Sequence, residues 1–216
     1  SGSGWNPVDT GSNITYSETD VAGQVHLYDV ATGSKNIGLI SKDTFAVSRT
    51  DLTTATFETK GVGFSKRSSY ISFFLGNSNL TPASMTGGIL VQVDANNTDA
   101  QGEAKWRMVG KDSSTSTQYL LRDWSNTNID FSKNFTLTLT VNPDGNAGLG
   151  NWTVAWTGTG DGNSTLANFD DGSGSTIDSF FTGDVSAGFG YRTPADSGGD
   201  STKVKMDTVT VIPEPA

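Results

Sequence analysis

Few side chains in this sequence could carry out acid–base or nucleophilic chemistry. The glutamates are Glu18, Glu58, Glu103 and Glu214, the only histidine is His26, and cysteine is absent. Hydrolysis of a glycosidic bond requires two carboxyl groups that flank it, and a serine triad requires a histidine beside the nucleophile. The Gly-x-Ser-x-Gly elbow, which presents the serine in one large class of hydrolases, does not occur. The residue types therefore predict a protein that is not an enzyme.

Sugar binding is the chemistry that the aromatic residues favour. A pyranose ring has apolar faces and polar edges, so its site needs an aromatic platform beside hydrogen-bonding groups. Trp124 follows Arg122 and Asp123 and precedes Ser125, which indicates an exposed ring with polar neighbours; the alternative is that Trp124 packs beneath a loop. We predict Trp124 and Arg122 as carbohydrate-binding residues, with Tyr191 at a strand end as a further candidate.

Several aspartates stand in segments rich in glycine and asparagine. Carboxylate and carbonyl oxygens in such loops are ligands that Ca²⁺ prefers. Asp144, Asp170 and Asp171 are the candidate calcium ligands, and none of them lies in an EF-hand register. The alternative is that each is a solvated turn residue. The sequence thus predicts that no cofactor is required, and it is compatible with a calcium site.

Length and charge limit the classes of partner. The chain has 216 residues and a net charge of −9. Nucleic acid is excluded as a partner, because an acidic surface cannot neutralise a phosphate backbone. No apolar run reaches the length of about 20 residues that crosses a bilayer. The opening Ser-Gly-Ser-Gly-Trp lacks the basic and apolar regions of a signal peptide, so we expect that signal to have been removed or replaced.

Short strands of alternating polarity run through the chain and are separated by turn residues. An apolar side chain at every second position marks a strand with one buried face. Residues 69–75 are apolar on both parities, which predicts a central strand covered on both faces. No apolar helical period is longer than two turns. The pattern predicts an all-β protein, an antiparallel β-sandwich of the jelly-roll type with roughly a dozen strands and little or no helix.

The last strand, which begins at Ser201, changes its parity. Val204 and Met206 alternate with polar residues, and the alternation then resumes one position out of phase. This change predicts a β-bulge at Asp207-Thr208. Closure of a jelly roll usually places its first and last strands side by side, so we expect this strand to neighbour residues 24–30.

Several segments resemble the concanavalin-like jelly rolls, a group that includes legume lectins and laminin-G-like domains. They are the Phe-Thr-Leu-Thr-Leu-Thr-Val strand, its Asn-Pro-Asp-Gly turn, the Trp-Thr-Val-Ala-Trp return and a final hairpin from Gly-Phe-Gly-Tyr-Arg to Asp-Thr-Val-Thr-Val. The resemblance implies the fold and, for many members, calcium. Retaining hydrolases of this fold use Glu-x-Asp-x-x-Glu; the nearest match, Glu18 to Gly23, lacks the second glutamate. His26 lacks the partners that a lyase of a related fold would need.

The end of the chain, Val-Ile-Pro-Glu-Pro-Ala, resembles the PEP-CTERM proteins, which are exported by Gram-negative bacteria. In that family a hydrophobic helix and a basic tail follow the motif, whereas this sequence stops at Ala216. The resemblance implies an extracellular or outer-surface location. We therefore expect a polar N-terminal arm over 1–20, pinned to the body by Trp5, a single jelly-roll domain over 21–212, and the remnant of a sorting tail over 213–216.

Three functions fit these features. The first is a non-catalytic, extracellular or cell-surface domain that binds a polysaccharide or cell-surface glycan or associates with the matrix. The second is a structural subunit of a filament or surface layer, whose partner is another copy of itself and whose arm adds a strand to a neighbour's sheet edge. The third is a polysaccharide-degrading enzyme. Glycan binding, assembly through the arm and release of sugar ends distinguish them.

Overall fold

The structure, a computed structural model, describes most of the sandwich. The described residues are 5–9, 14–17, 25–29, 35–48, 50–62, 70–77, 85–94, 104–113, 115–127, 134–142, 151–158, 163–166, 180–181, 183–193 and 201–213. These residues are almost entirely β-structure. None of the described segments forms a helix with the length and hydropathy needed to span a membrane.

The described residues form fifteen strands, which is somewhat more than the dozen predicted. The strands are β1 Trp5–Asp9, β2 Ile14–Ser17, β3 Val25–Asp29, β4 Lys35–Ser41, β5 Phe45–Ala46, β6 Thr53–Val62, β7 Tyr70–Asn77, β8 Gly87–Asp94, β9 Ala104–Lys111, β10 Gln118–Thr127, β11 Phe135–Asn142, β12 Asn151–Gly158, β13 Asn163–Leu166, β14 Asp184–Thr193 and β15 Ser201–Pro213.

The strands form two antiparallel sheets. The eight-stranded sheet has the order β1-β4-β14-β7-β8-β9-β10, with β5 also paired to β14. The seven-stranded sheet has the order β13-β12-β11-β6-β15-β3-β2. The many non-consecutive neighbours are typical of Greek-key and jelly-roll connections. The predicted all-β antiparallel sandwich is confirmed.

The main core lies between the two sheets and is built from alternate residues of the strands whose side chains the structure describes. Phe73 of β7 lies at its centre, with ring contacts to Phe57 at 5.4 Å and Phe135 at 5.9 Å, both edge-on. Trp106 is 1% exposed and belongs to this cluster. Edge-to-face aromatic pairs contribute roughly 0.5–1.5 kcal/mol beyond the area they bury. Trp106 alternates with Lys105 and Arg107 on β9, and strand geometry turns its ring towards the core.

β7 is buried on both faces, as its composition predicts. It lies between β14 and β8, and residues 71–76 are all buried. Ile71 and Phe73 face the main core, whereas Phe74 joins Met85 and Leu90 in a smaller cluster on the other side of the sheet. The apolar run over both parities is therefore explained by two hydrophobic environments.

The last strand lies at the middle of its sheet. β15 pairs with β3 on one side and with β6 on the other, which confirms the predicted neighbourhood of the first clear strand and the last. The pairing of β15 with β6 shifts its register between Met206 and Thr208, which confirms the bulge at Asp207-Thr208. Val209 and Val211 then pack against the core, as their parity requires.

The N-terminal segment differs from the irregular arm predicted for it. β1 pairs with β4, and β2 pairs with β3, so each of them is the edge strand of a different sheet. The ring of Trp5 meets Phe189 edge-on at 5.1 Å, so Trp5 does pin this segment to the body. Short polar strands carry little alternation of their own, and their pairing comes from the sheet edges on which they lie.

Candidate functional site

Two bulges in β10 shape the surface around Trp124. Leu120 pairs with Val109 and Arg122 pairs with Met108, so β10 has an extra residue between these pairs. A second extra residue lies between Arg122 and Ser125. Bulges bend a strand and redirect its side chains, and they concentrate at sheet edges. β10 is the edge strand of the eight-stranded sheet, so both irregularities lie at its open side.

Trp124 and Arg107 form the centre of this surface. The guanidinium carbon of Arg107 lies 4.9 Å from the centroid of the Trp124 ring, and both side chains are half-buried. A guanidinium over an indole face is attracted by the ring quadrupole by roughly 0.5–1 kcal/mol at an exposed site. Beside them, the carboxylate of Asp123 is exposed and accepts a hydrogen bond of 2.7 Å from the backbone N–H of Trp124.

Two hydrogen bonds in series connect Arg107 to side chains on the next two strands of the sheet. Its Nε donates to Oε1 of Gln92 at 2.7 Å, and Nε2 of Gln92 donates to Oγ of Ser72 at 3.2 Å. The three residues are direct cross-strand partners on β9, β8 and β7. Gln92 is 0% exposed, and buried polar networks that are fully bonded rigidify the groups they hold. We call Ser72, Gln92, Arg107 and Trp124 the polar row.

The polar row offers binding groups. An indole ring supplies an apolar platform, a guanidinium supplies hydrogen-bond donors and the Asp123 carboxylate supplies acceptors. This combination suits a ligand that has apolar faces and hydroxyl groups at its edges. The four residues of the row include no carboxylate and no imidazole. Two acids belong to the same strands: Asp123 precedes Trp124 on β10, and the buried Asp94 lies two residues after Gln92 on β8, opposite Lys105.

The three predicted sugar-binding residues differ from one another in their surroundings. Trp124 is half-buried, with the guanidinium of Arg107 over its ring. Arg122 is opposite Met108 in the strand pairing, and its side chain lies outside the described residues. Tyr191 is 2% exposed and lies in the main core with Phe189, so its ring cannot be a surface platform. Tyr191 continues the inward parity of β14, and this placement removes it from the candidates.

The candidate calcium ligands Asp144, Asp170 and Asp171 lie outside the described residues. Within the described ranges, no three carboxylate, imidazole or thiol side chains lie close enough together to hold a metal ion.

Sequence reasoning missed Arg107, Gln92 and Ser72. The alternation of Lys105 and Arg107 with Trp106 already indicates that Arg107 points away from the core. Its contact with Trp124 depends on the two bulges of β10. No periodicity in the sequence predicts these bulges.

Comparisons with known proteins identify the fold. No family model matches the chain, and no curated protein matches its sequence. Solved structures do match over nearly its full length. A legume lectin-like domain from Entamoeba histolytica has a TM-score of 0.58 at 10% identity. The match covers 97% of this chain and 89% of the Entamoeba chain.

Two further structures are similar to a comparable extent. The lectin UEA-II complexed with galactose has a TM-score of 0.59 at 12% identity, covering 96% of this chain and 92% of that one. The exoplasmic domain of VIP36, in a form bound to Ca²⁺ and Man3GlcNAc, has a TM-score of 0.56 at 11% identity, covering 99% and 85%. At these identities the likeness concerns the fold alone. The chain is a β-sandwich with the legume-lectin-like, concanavalin-like jelly-roll fold.

Proposed function

We propose that this protein is a non-catalytic glycan-binding domain and that Trp124 is its sugar platform. The observation that carries the proposal is the stacking of Arg107 on Trp124 at the bulged edge of the eight-stranded sheet, 4.9 Å from ring centroid to guanidinium carbon. The fold adds support, because similar structures include a lectin complexed with galactose and a domain bound to Man3GlcNAc.

The arrangement of the polar row suits a neutral sugar. The apolar face of a pyranose stacks on the indole, while its hydroxyl groups reach the guanidinium of Arg107 and the carboxylate of Asp123. The bond from Arg107 to the buried Gln92 fixes the guanidinium before a ligand arrives. A group held in position loses little side-chain entropy on binding, which raises affinity.

The proposal includes calcium binding, which is tested separately. The VIP36 structure was obtained in a Ca²⁺-bound form, and Asp144, Asp170 and Asp171 remain our candidate ligands. In this proposal calcium is a structural ion that takes no part in any reaction. Binding is therefore to be measured with calcium and with chelator.

The test is a glycan array followed by titration of the best ligand. Trp124→Ala should weaken binding at least about tenfold, which corresponds to about 1.4 kcal/mol, and Trp124→Phe should retain part of it. Leu120→Ala is the matched control, since Leu120 is an exposed apolar residue of the same strand, 49% exposed. Equal affinity of Trp124→Ala and the parent protein would contradict this site.

The location and the absence of catalysis are parts of the same proposal. The Pro-Glu-Pro ending supports an extracellular or outer-surface location in a Gram-negative bacterium. Fractionation of the source cells tests this, with the protein expected outside the inner membrane. Incubation with a polysaccharide panel tests catalysis, and release of reducing or unsaturated ends would overturn the non-catalytic assignment.

A further inference from the structure

A cavity opens between the two sheets at the edge where β1, β5 and β15 meet. Its volume is about 410 Å³, within the range of roughly 300–1,000 Å³ that small-molecule sites occupy. β1 and β10 are opposite edges of the eight-stranded sheet. The cavity is therefore separate from the polar row and forms an independent feature of the molecule.

The walls of the cavity are the half-buried rim of the main core. Trp5 and Phe45 line it from the eight-stranded sheet, Val209 and Val211 line it from β15, and Ala187 is also part of the lining. The four larger side chains pack against the core while remaining partly exposed. Two aromatic rings and two valines facing one space make an apolar chamber of the kind that receives a ring-sized ligand body.

The polar groups lie together in the residues that follow β4. Oγ of Ser41 donates to the backbone carbonyl of Asp43 at 2.7 Å and accepts from the backbone N–H of Ala187 at 3.2 Å. Ser41 is thus occupied in holding this turn. Asp43 and Thr44 are exposed residues that also line the cavity. Among the described residues of the lining, Asp43 is the charged one.

We propose that this cavity binds a small organic ammonium ion with an apolar, ring-sized body. The body lies between the aromatic rings and the valines, and the ammonium group lies at the carboxylate of Asp43. Aromatic faces also attract cations. An anion is disfavoured by Asp43 and by the net charge of −9, and a neutral alcohol lacks the ionic contact. Charge complementarity thus selects the amine.

Three probes of nearly equal shape test the selection. 2-Phenylethylamine is a cation at neutral pH, 2-phenylethanol is neutral and phenylacetate is an anion. Ligand-observed NMR titrations at low ionic strength should rank them in that order. The amine should bind about threefold to fivefold more tightly than the alcohol, as expected for one exposed ionic contact. Phenylacetate binding as tightly as the amine would overturn the proposal.

Variants then locate the binding. Asp43→Asn should remove the preference for the amine over the alcohol and leave alcohol binding within about twofold. Thr44→Trp should obstruct the cavity and abolish binding of both. Glu58→Gln, which removes an exposed carboxylate outside the cavity lining, is the matched control and should leave the binding of both probes unchanged. Both cavity residues are exposed, so unchanged unfolding midpoints are expected. Retained amine binding in Thr44→Trp would place the site elsewhere.

Discussion

The ammonium group of Lys60 lies 2.8 Å from the carboxylate of Asp207. Met206 pairs with Thr59 and Thr208 pairs with Glu58, so Asp207 is the residue that β15 has in excess at its bulge. Lys60 lies in a second register shift, where β6 has an extra residue between Thr59 and Val62, so the ion pair joins irregular positions of both strands. An exposed pair of this kind contributes little to stability, but it does fix where the extra residue points.

This pair leads to a prediction about titration. The hydrogen bond to Asp207, followed by the charge of Asp207, raises the pKa of Lys60 above the ordinary lysine value. A raised folded-state pKa stabilises the protein fully below the unfolded lysine pKa, and that contribution disappears as the pH rises through the folded value. NMR titration of the Lys60 side chain should give a lower pKa in Asp207→Ala. Glu58→Gln should have a smaller effect, and identical titration in Asp207→Ala would contradict the ion pair.

A glycine in β9 is required by the packing of an aromatic ring. A β-carbon on Gly110 would overlap the ring of Phe180, which is 1% exposed. Overpacking of this kind costs about 1–3 kcal/mol, so Gly110→Ala should lower the free energy of unfolding by that amount in denaturant titrations. Gly110→Ala combined with Phe180→Leu should lose less than the sum of the single changes. Additive losses would show that the ring is not the obstacle.

The polar row depends on a buried amide. Gln92→Leu leaves the buried hydroxyl of Ser72 without its bond from Gln92 and releases Nε of Arg107. We expect a loss of about 1–3 kcal/mol in unfolding free energy, together with a changed fluorescence of the Trp124 indole. Ser72→Ala should cost less, because Gln92 keeps its bond to Arg107. A Gln92→Leu variant as stable as the parent protein would contradict the network.

The N-terminal strands are predicted to stabilise the single chain. Trp5→Ala removes the edge-on contact with Phe189 and should lower the unfolding free energy by about 1–3 kcal/mol. Ile212→Ala, at a side chain that is 54% exposed, is the control and should change it by less than about 0.5 kcal/mol. For the filament hypothesis, β1 and β2 would have to leave their own sheets. Electron microscopy with and without residues 1–20 tests this, with dispersed particles expected in both samples.

The regular parts of the fold could be predicted because each depends on a local pattern. The parity change at Asp207 predicts the bulge. The alternation of Trp106 with polar residues predicts that its side chain lies in the core. The same rule applied to Tyr191 also indicates the core, since the residue is in phase with Phe189; its position near a strand end suggested exposure instead. Burial extends to Tyr191 because β14 lies between β4 and β7.

The candidate site could be predicted only in part. Trp124 stands out because its neighbours in the sequence are polar. Its contact with Arg107 arises between strands and depends on two inserted residues in β10, which has no regular period. The cavity beside Trp5 was missed for a related reason: its walls come from β1, β5, β14 and β15, which are far apart in the sequence. No local pattern encodes such a meeting.

The position of β15 between β6 and β3 has a consequence for how the chain reaches its folded state. The strand comes more than a hundred residues after either neighbour, so the seven-stranded sheet cannot be completed until β15 is available. Such non-local pairing slows folding. Until then the facing edges of β6 and β3 are open, and open edges recruit other chains. We therefore expect slow folding with aggregation as its main competitor, and late addition of β15 as the step that ends this vulnerability.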